Sequence, residues 1–209
     1  MNYVVVAYYT YDTLYEDKVK TLQASLESFA IPNVIEGISN LGSWNKNTCH
    51  KPTFIKHMMI KYRDKNIVYV DCDAEFFRYP ILFDTLDCNI GVHVFDRLLY
   101  RRKGVEGTEV LSGTIFLKNN QEVFDLVSNW EAECKRNPSV WDQKSLQKIL
   151  RKKGDNYYYN LPPEYCKIFD RMTDVSDPVI VHYQCSRIVR KNKGSLISDS
   201  MEQPSLSKS

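Results

Sequence analysis

The sequence predicts an α/β protein in which helices flank a mixed, mainly parallel central sheet. Three observations carry this. The first 70 residues run in the order strand, helix, strand, helix, strand, the pattern of parallel strands joined by helical crossovers. Within that order Ile67-Val68-Tyr69-Val70 is an unbroken β-branched and aromatic run, as in a central strand covered on both faces. A chain of 209 residues with 43% hydrophobic content can also bury one sizeable core. The expected extent is a single domain over residues 1–191. Residues 192–209 form a Ser- and Lys-rich tail without periodicity, expected to be poorly ordered.

Val4–Tyr8 is the first strand, and Tyr9-Thr10-Tyr11-Asp12 the turn after it. A helix over Thr13–Phe29 follows, with Val19, Leu22, Leu26 and Phe29 at helical spacing and Pro32 beyond its end. Asn33–Ile38 is the second strand, and the Asn-, Gly- and Ser-rich stretch Asn40–Cys49 reads as a loop. Pro52 suits the first turn of the next helix, where a missing N–H leaves nothing unpaired. Phe54, Ile55, Met58, Met59 and Tyr62 form that helix's apolar stripe. Beyond the central strand, Ile90–Phe95 is a strand and Arg97–Gly107 a basic loop. Val110–Leu117 is a strand interrupted by Ser112-Gly113-Thr114, where a glycine marks a bulge or a close approach of ligand to backbone. Helices over Gln121–Lys135 and Val140–Arg151 come next, the second with Ser139 and Asp142 in capping-box spacing. Asn156–Leu161 and Val179–Tyr183 are late strands.

Asp71, Asp73 and Glu75 follow the central strand at alternate positions. If the strand continued, a rise of roughly 3.3 Å per residue would set Asp71 and Asp73 about 7 Å apart on one side. Two carboxylates at the carboxyl end of a buried strand are costly to leave unpaired, and a divalent cation relieves their repulsion. In open α/β sheets that is also the end where ligands bind. The pair is therefore a candidate metal and phosphate site, with a solvated turn as the bland alternative.

A net charge of +2 excludes a strongly polyanion-binding molecule as a whole. The cations are nevertheless clustered, at Arg97 with Arg101, Arg102 and Lys103, at Arg151–Lys153, and at Arg187 with Arg190, Lys191 and Lys193. Such runs read as solvated surface or as one face meeting an anionic partner. The opening segment has no basic region or cleavage site and reads as a strand, not a signal peptide. No apolar stretch approaches the roughly 20 residues of a membrane span. Six scattered cysteines without metal-ligand spacing read as reduced thiols in a cytoplasmic protein.

Five pieces fall in the order of a known family. These are the strand-one turn with Thr10, Tyr11 and Tyr15; the Lys51-Pro52 helix; and the strand ending in Asp71-Cys72-Asp73. Then come Leu111-Ser112-Gly113-Thr114-Ile115-Phe116-Leu117-Lys118-Asn119 with a later Trp141-Asp142-Gln143, and Val179-Ile180-Val181-His182-Tyr183 followed by Arg187. Over about residues 3–190 the chain resembles the nucleotide-sugar-dependent glycosyltransferases of the GT-A, Rossmann-like fold, a branch that includes glycogenin-like and related bacterial and viral enzymes. The resemblance implies a nucleoside-diphosphate sugar donor and a divalent cation, Mn²⁺ or Mg²⁺, held by Asp71, Asp73 and His182. It implies that Thr10, Tyr11 and Tyr15 meet the base and ribose, that Gly113 lets the donor sugar approach the backbone, and that Arg187 meets the diphosphate, with Arg190 or Lys191 sharing that work. Lys51, Asp71, Cys72 and Ser112 belong to the same donor pocket, and Asp142 and Gln143 face the transferred sugar or the acceptor as catalytic candidates. Rival local readings are a carbonyl-bonded strand histidine for His182, helix packing for Tyr15 and helix capping for Asp142. The expected acceptor is a glycan or other hydroxyl compound. Hydroxymethylated DNA bases are the alternative, as in virus-encoded enzymes acting in a host cytoplasm, where the basic loops would serve. An Asp-x-Asp phosphatase is the weaker rival, because Glu75 stands where that chemistry wants Thr or Val, and Gly154-Asp155 leads into Asn-Tyr-Tyr-Tyr. Nucleotidyltransferases of this class open with a Gly-rich loop, where this chain has Tyr-Tyr-Thr-Tyr.

Overall fold

The computed structural model describes residues 1–100 and 106–187. The cations Arg101, Arg102, Lys103, Arg190, Lys191 and Lys193 lie outside them, as does the 192–209 tail.

The chain runs β1 (Tyr3–Thr10), α1 (Leu14–Ser28), β2 (Asn33–Ile38), α2 (Trp44–Cys49), α3 (Lys51–Lys61), β3 (Asn66–Val70), β4 (Ala74–Phe76), α4 (Leu82–Thr85), β5 (Ile90–Asp96) and α5 (Arg97–Tyr100). It continues with β6 (Thr108–Leu117), α6 (Gln121–Arg136), α7 (Asp142–Lys153), β7 (Tyr159–Asn160), β8 (Lys167–Ile168) and β9 (Ile180–His182). The main sheet has the order β2-β1-β3-β6-β5-β7. Its β1·β2, β1·β3 and β5·β7 pairs are parallel, and β6 runs antiparallel to both β3 and β5. A second sheet, β4-β9-β8, stands beside it.

Strand alternation explains why β1 and β3 read as continuous apolar runs. Val4, Val6 and Tyr8 point into a core shared with Phe54, Ile55, Met58 and Met59 of α3 and Trp130 of α6. Tyr3, Val5 and Ala7 point into the opposite core with Leu22 and Leu26 of α1 and Phe76 of β4. Ile67 and Tyr69 of β3 join the first set, and Val68 and Val70 the second. With helices on one face and α1 with the smaller sheet on the other, neither side of the strand meets water.

Several boundaries differ from the sequence expectation. The stretch 40–49 is not all loop, because Ser43 caps Lys46 N and starts α2. Residues 155–157 form a 3₁₀ turn, which leaves only Tyr159–Asn160 as strand. The capping box at α7 does not form: Trp141 is the N-cap, no side chain caps the helix, and the Ser139 carbonyl accepts from Asn45 Nδ2 at 2.8 Å. The Asp142 side chain is thereby released for another partner. The β6 strand is continuous, but its register against β5 shifts between Val92, opposite Ile115, and Val94, opposite Val110. Three extra residues of β6 are accommodated there, over the Ser112-Gly113-Thr114 segment. Asn119, just beyond β6, donates through Nδ2 to the Met59 and Tyr62 carbonyls at 2.9 Å and closes the end of α3. Among the described residues no helix is long and apolar enough to cross a membrane.

Candidate functional site

β3 stops at Val70, and the expected 7 Å extended spacing of Asp71 and Asp73 does not occur. Ala74 N donates to the Asp71 carbonyl at 3.0 Å, so the two aspartates sit on a tight turn that draws them together. After the turn β4 begins, and it is paired antiparallel to β9 with Ala74 opposite His182. Tyr183 N donates to the Asp73 carbonyl at 3.1 Å. That pairing delivers a histidine from the far end of the chain to the aspartates: ligand atoms of Asp71, Asp73 and His182 all lie within 4.8 Å of one another. Glu75, the third acid of the run, is outside this group and accepts from Tyr183 Oη at 2.6 Å.

The imidazole is almost fully buried, at 3% exposure. Its Nε2 is 2.8 Å from Thr114 Oγ1. In the tautomer with the proton on Nε2, donated to Thr114, Nδ1 presents a bare lone pair, and Nδ1 is buried with no hydrogen-bond partner among the described residues. Burial pushes the His182 pKa down to about 4, the nearby Asp71 charge opposing, so the ring is neutral at pH 7. Asp73 is buried and accepts from Cys185 N at 2.8 Å through Oδ2. Burial, and then the Asp71 charge, push its carboxyl up to about 6.

Lys51, at the start of α3, lies across the other side of Asp71. Its buried ammonium is 3.0 Å from Asp71 Oδ1, 2.9 Å from Asp142 Oδ2, 3.0 Å from the Ser112 carbonyl and 3.1 Å from Ser112 Oγ. Burial works against its charge, but Asp142 and Asp71 outweigh that and hold it well above the ordinary lysine range. Asp142 also accepts from Ser112 Oγ at 2.9 Å, and the buried Trp130 indole donates to the Asp142 carbonyl at 2.9 Å. Tyr69 Oη is 3.0 Å from Asp71 Oδ1. Three carboxylates against one ammonium leave the cluster with a formal surplus of two negative charges, matched in size to a divalent cation.

These side chains open onto one cavity of about 390 Å³. Thr10, Tyr15, Lys51, Asp71, Cys72, Ser112, Gly113, Asp142, Gln143 and Arg187 of the sequence expectation all line it. Tyr11 does not. Its ring lies on Gly37 of β2, where a Cβ would come within 2.3–2.6 Å of it, and it is 45% exposed. Thr10 is buried and engages Thr13, the N-cap of α1. Arg187 reaches the cavity while pairing with Asp170 at 2.6 Å, and Gln143 donates to Glu109 at 2.7 Å. Burial raises the Cys72 thiol well above its ordinary pKa, so it is a neutral wall group. Sequence reasoning missed Thr114, which orients His182 although it stands in the Ser-Gly-Thr segment singled out for its glycine. It also missed Trp44, hidden in a stretch without periodicity.

The fold is similar to that of a glycosyltransferase involved in the glycosylation of the major capsid of PBCV-1, with a TM-score of 0.69 and 17% identity over 92% of this chain and 99% of that one. It is also similar to the glycosyltransferase GlyE of Streptococcus pneumoniae TIGR4, with a TM-score of 0.55 and 14% identity over all of this chain and 66% of that one. At such identities the likeness is one of fold. No curated protein sequence matches the chain significantly. The family model for nucleotide-diphospho-sugar transferases, by contrast, matches residues 2–195. With that match spanning nearly the whole sequence, on a fold that glycosyltransferases share, the chain belongs to the nucleotide-diphospho-sugar transferase family.

Proposed function

We propose that this enzyme transfers a sugar from a nucleoside-diphosphate sugar to a glycan hydroxyl, and that it does so with a divalent cation held by Asp71, Asp73 and His182. The observation that carries the metal reading is the unpartnered, buried Nδ1 of His182 beside two carboxylates. One imidazole with two carboxylates suits Mn²⁺ somewhat better than Mg²⁺. When bound, such a cation neutralises negative charge that develops on the departing diphosphate. The chain's own groups do the rest. Thr114 holds the imidazole by its Nε2 and orients the ring, and the Cys185 N–H orients Asp73. Lys51 sets the spacing of Asp71 and Asp142. Thr10 and Tyr15 form the nucleoside side of the cavity; Asp142 and Gln143 face the transferred sugar at the other side; and Arg187 exchanges Asp170 for donor phosphate. Six free cysteines suit a reducing compartment, and we place the enzyme in the cytoplasm.

A thermal-shift screen of nucleotide sugars and nucleoside diphosphates, with and without Mn²⁺, tests this. A ligand present at about 100 times its Kd stabilises the folded state by about 2.7 kcal/mol, enough to raise Tm by several degrees. The rise should need both nucleotide and metal and vanish with chelator. Transfer that proceeds unchanged in chelator sinks the metal role.

Gly113 supplies a narrower test. A Cβ there would stand 3.1 Å from His182 Cε1, 3.2 Å from Nδ1 and 3.4 Å from Asp71 Oδ2. Gly113→Ala should therefore fold normally yet lower Mn²⁺ affinity by about tenfold, because displaced ligands cost that much in metal sites. Electron paramagnetic resonance of free Mn²⁺ reads this directly, and an unchanged affinity would remove Gly113 from the site.

A further inference from the structure

One wall of the cavity is made by two indoles, Trp44 at the start of α2 and Trp141 immediately before Asp142. Both are half-buried, with ring centroids 6.2 Å apart and planes at 60°. Neither ring is loose. The Lys144 ammonium lies 4.1 Å over the Trp141 ring, and the Tyr15 phenol lies beside Trp44. Asn45 Nδ2 donates to the Ser139 carbonyl at 2.8 Å and Cys49 Sγ to the Val140 carbonyl at 3.2 Å, so α2 is tied to the segment that carries Trp141. Asn47 Oδ1 accepts from Leu41 N at 2.8 Å and steadies the turn into α2. Two large aromatic rings lining a cavity form a pre-organised surface that loses little freedom when a ligand arrives.

We propose that Trp44 and Trp141 form the acceptor subsite and stack the apolar face of a pyranose, which makes the acceptor the end of a glycan. This rests on the sugar-transfer reading above and deepens it. An indole face carries the negative side of its quadrupole, and the axial C–H bonds on one face of a pyranose present positive hydrogens to it. Trp141 adjoins Asp142, whose carboxylate stands at the Lys51 and Ser112 cluster, so a ring stacked on this wall sits beside the reacting end of the cavity.

The test uses Trp44→Ala and Trp141→Ala with two ligand classes. Methyl glycopyranosides of the gluco, galacto, manno and xylo series are titrated by ligand-observed NMR, and a short single-stranded oligodeoxynucleotide is titrated alongside. Nucleoside diphosphate with Mn²⁺ is titrated by calorimetry. At least one glycoside should bind the unaltered protein in a saturable way, and each Ala variant should weaken that by about tenfold, the loss expected from about 1.4 kcal/mol of stacking. Nucleotide affinity should stay within twofold in Trp141→Ala; Trp44 adjoins Tyr15 of the nucleoside side and is not held to this. If an Ala variant does not fold, Trp44→Phe and Trp141→Phe carry the test and should weaken the glycoside less. Absence of any glycoside binding, binding of the oligonucleotide in its place, or a fall in nucleotide affinity in Trp141→Ala overturns the subsite. If the unaltered protein binds no nucleoside diphosphate at all, the donor reading fails, a result distinct from losing glycoside binding alone.

Discussion

Asp73→Asn should lower metal-dependent transfer by about 100-fold or more while leaving the fold in place. The size follows from the neighbouring case: loss of a group that merely orients a metal ligand costs about 10- to 100-fold, so removing a charged ligand itself belongs at or beyond the upper end. Asparagine is the informative replacement because its side-chain oxygen still accepts the Cys185 N–H, now at 2.8 Å, and the turn into β4 is preserved. It removes the negative charge without opening a hole in a residue that is only 8% exposed. Circular dichroism and the unfolding midpoint should match the parent, and Mn²⁺ affinity should fall together with turnover. Full turnover in this variant would exclude Asp73 as a ligand.

Lys51→Met should cost about 3–5 kcal/mol of stability, the range found when one partner of a buried ion pair is removed and the other left uncompensated. For a chain of this length that is a Tm drop on the order of 10 °C. Among the described residues the Lys51 ammonium is the one cation paired with both Asp71 and Asp142, and with it gone two carboxylates and the Ser112 carbonyl face one another. Adding Asp142→Asn to Lys51→Met should recover part of the loss by withdrawing one of the stranded charges. The coupling is measurable as a double-mutant cycle in urea unfolding. Strictly additive effects would show that Lys51 and Asp142 do not depend on each other for stability.

Lys51 also shows how far the sequence can be read. Placed ahead of Pro52 at a helix start, it belongs, by the family resemblance, to the donor pocket. In the folded protein its hydrogen-bonding capacity is taken up by Asp71, Asp142 and Ser112, so it is a post between acids. Asp142 was legible as an acid at a helix start, but spacing alone could not separate a capping box from a cavity carboxylate. The deciding fact is Trp141 as an N-cap without any side-chain cap. Tyr11 turns away from the cavity for a related reason: a turn residue's direction depends on what the neighbouring strand offers, and Gly37 offers a bare backbone on which its ring rests.

The sequence by itself determined the β1-α1-β2-α3-β3 order, strands β5 and β6, helices α6 and α7, the two-faced burial of β1 and β3, and the composition of an acidic motif at a strand end. Each of these is written in side chains within a few positions of one another, where periods of two and 3.6 residues decide which face is apolar. The family resemblance named His182 as the partner of Asp71 and Asp73, but only the tertiary structure shows how it reaches them while Glu75 turns away, that Thr114 aims it, and that two tryptophans wall the cavity. Those outcomes depend on β4 pairing with β9 and on contacts across 68 residues for Thr114 with His182 and 112 for Cys185 with Asp73. No local pattern encodes such pairings, because the free energy that selects them comes from burying whole sheet faces against one another.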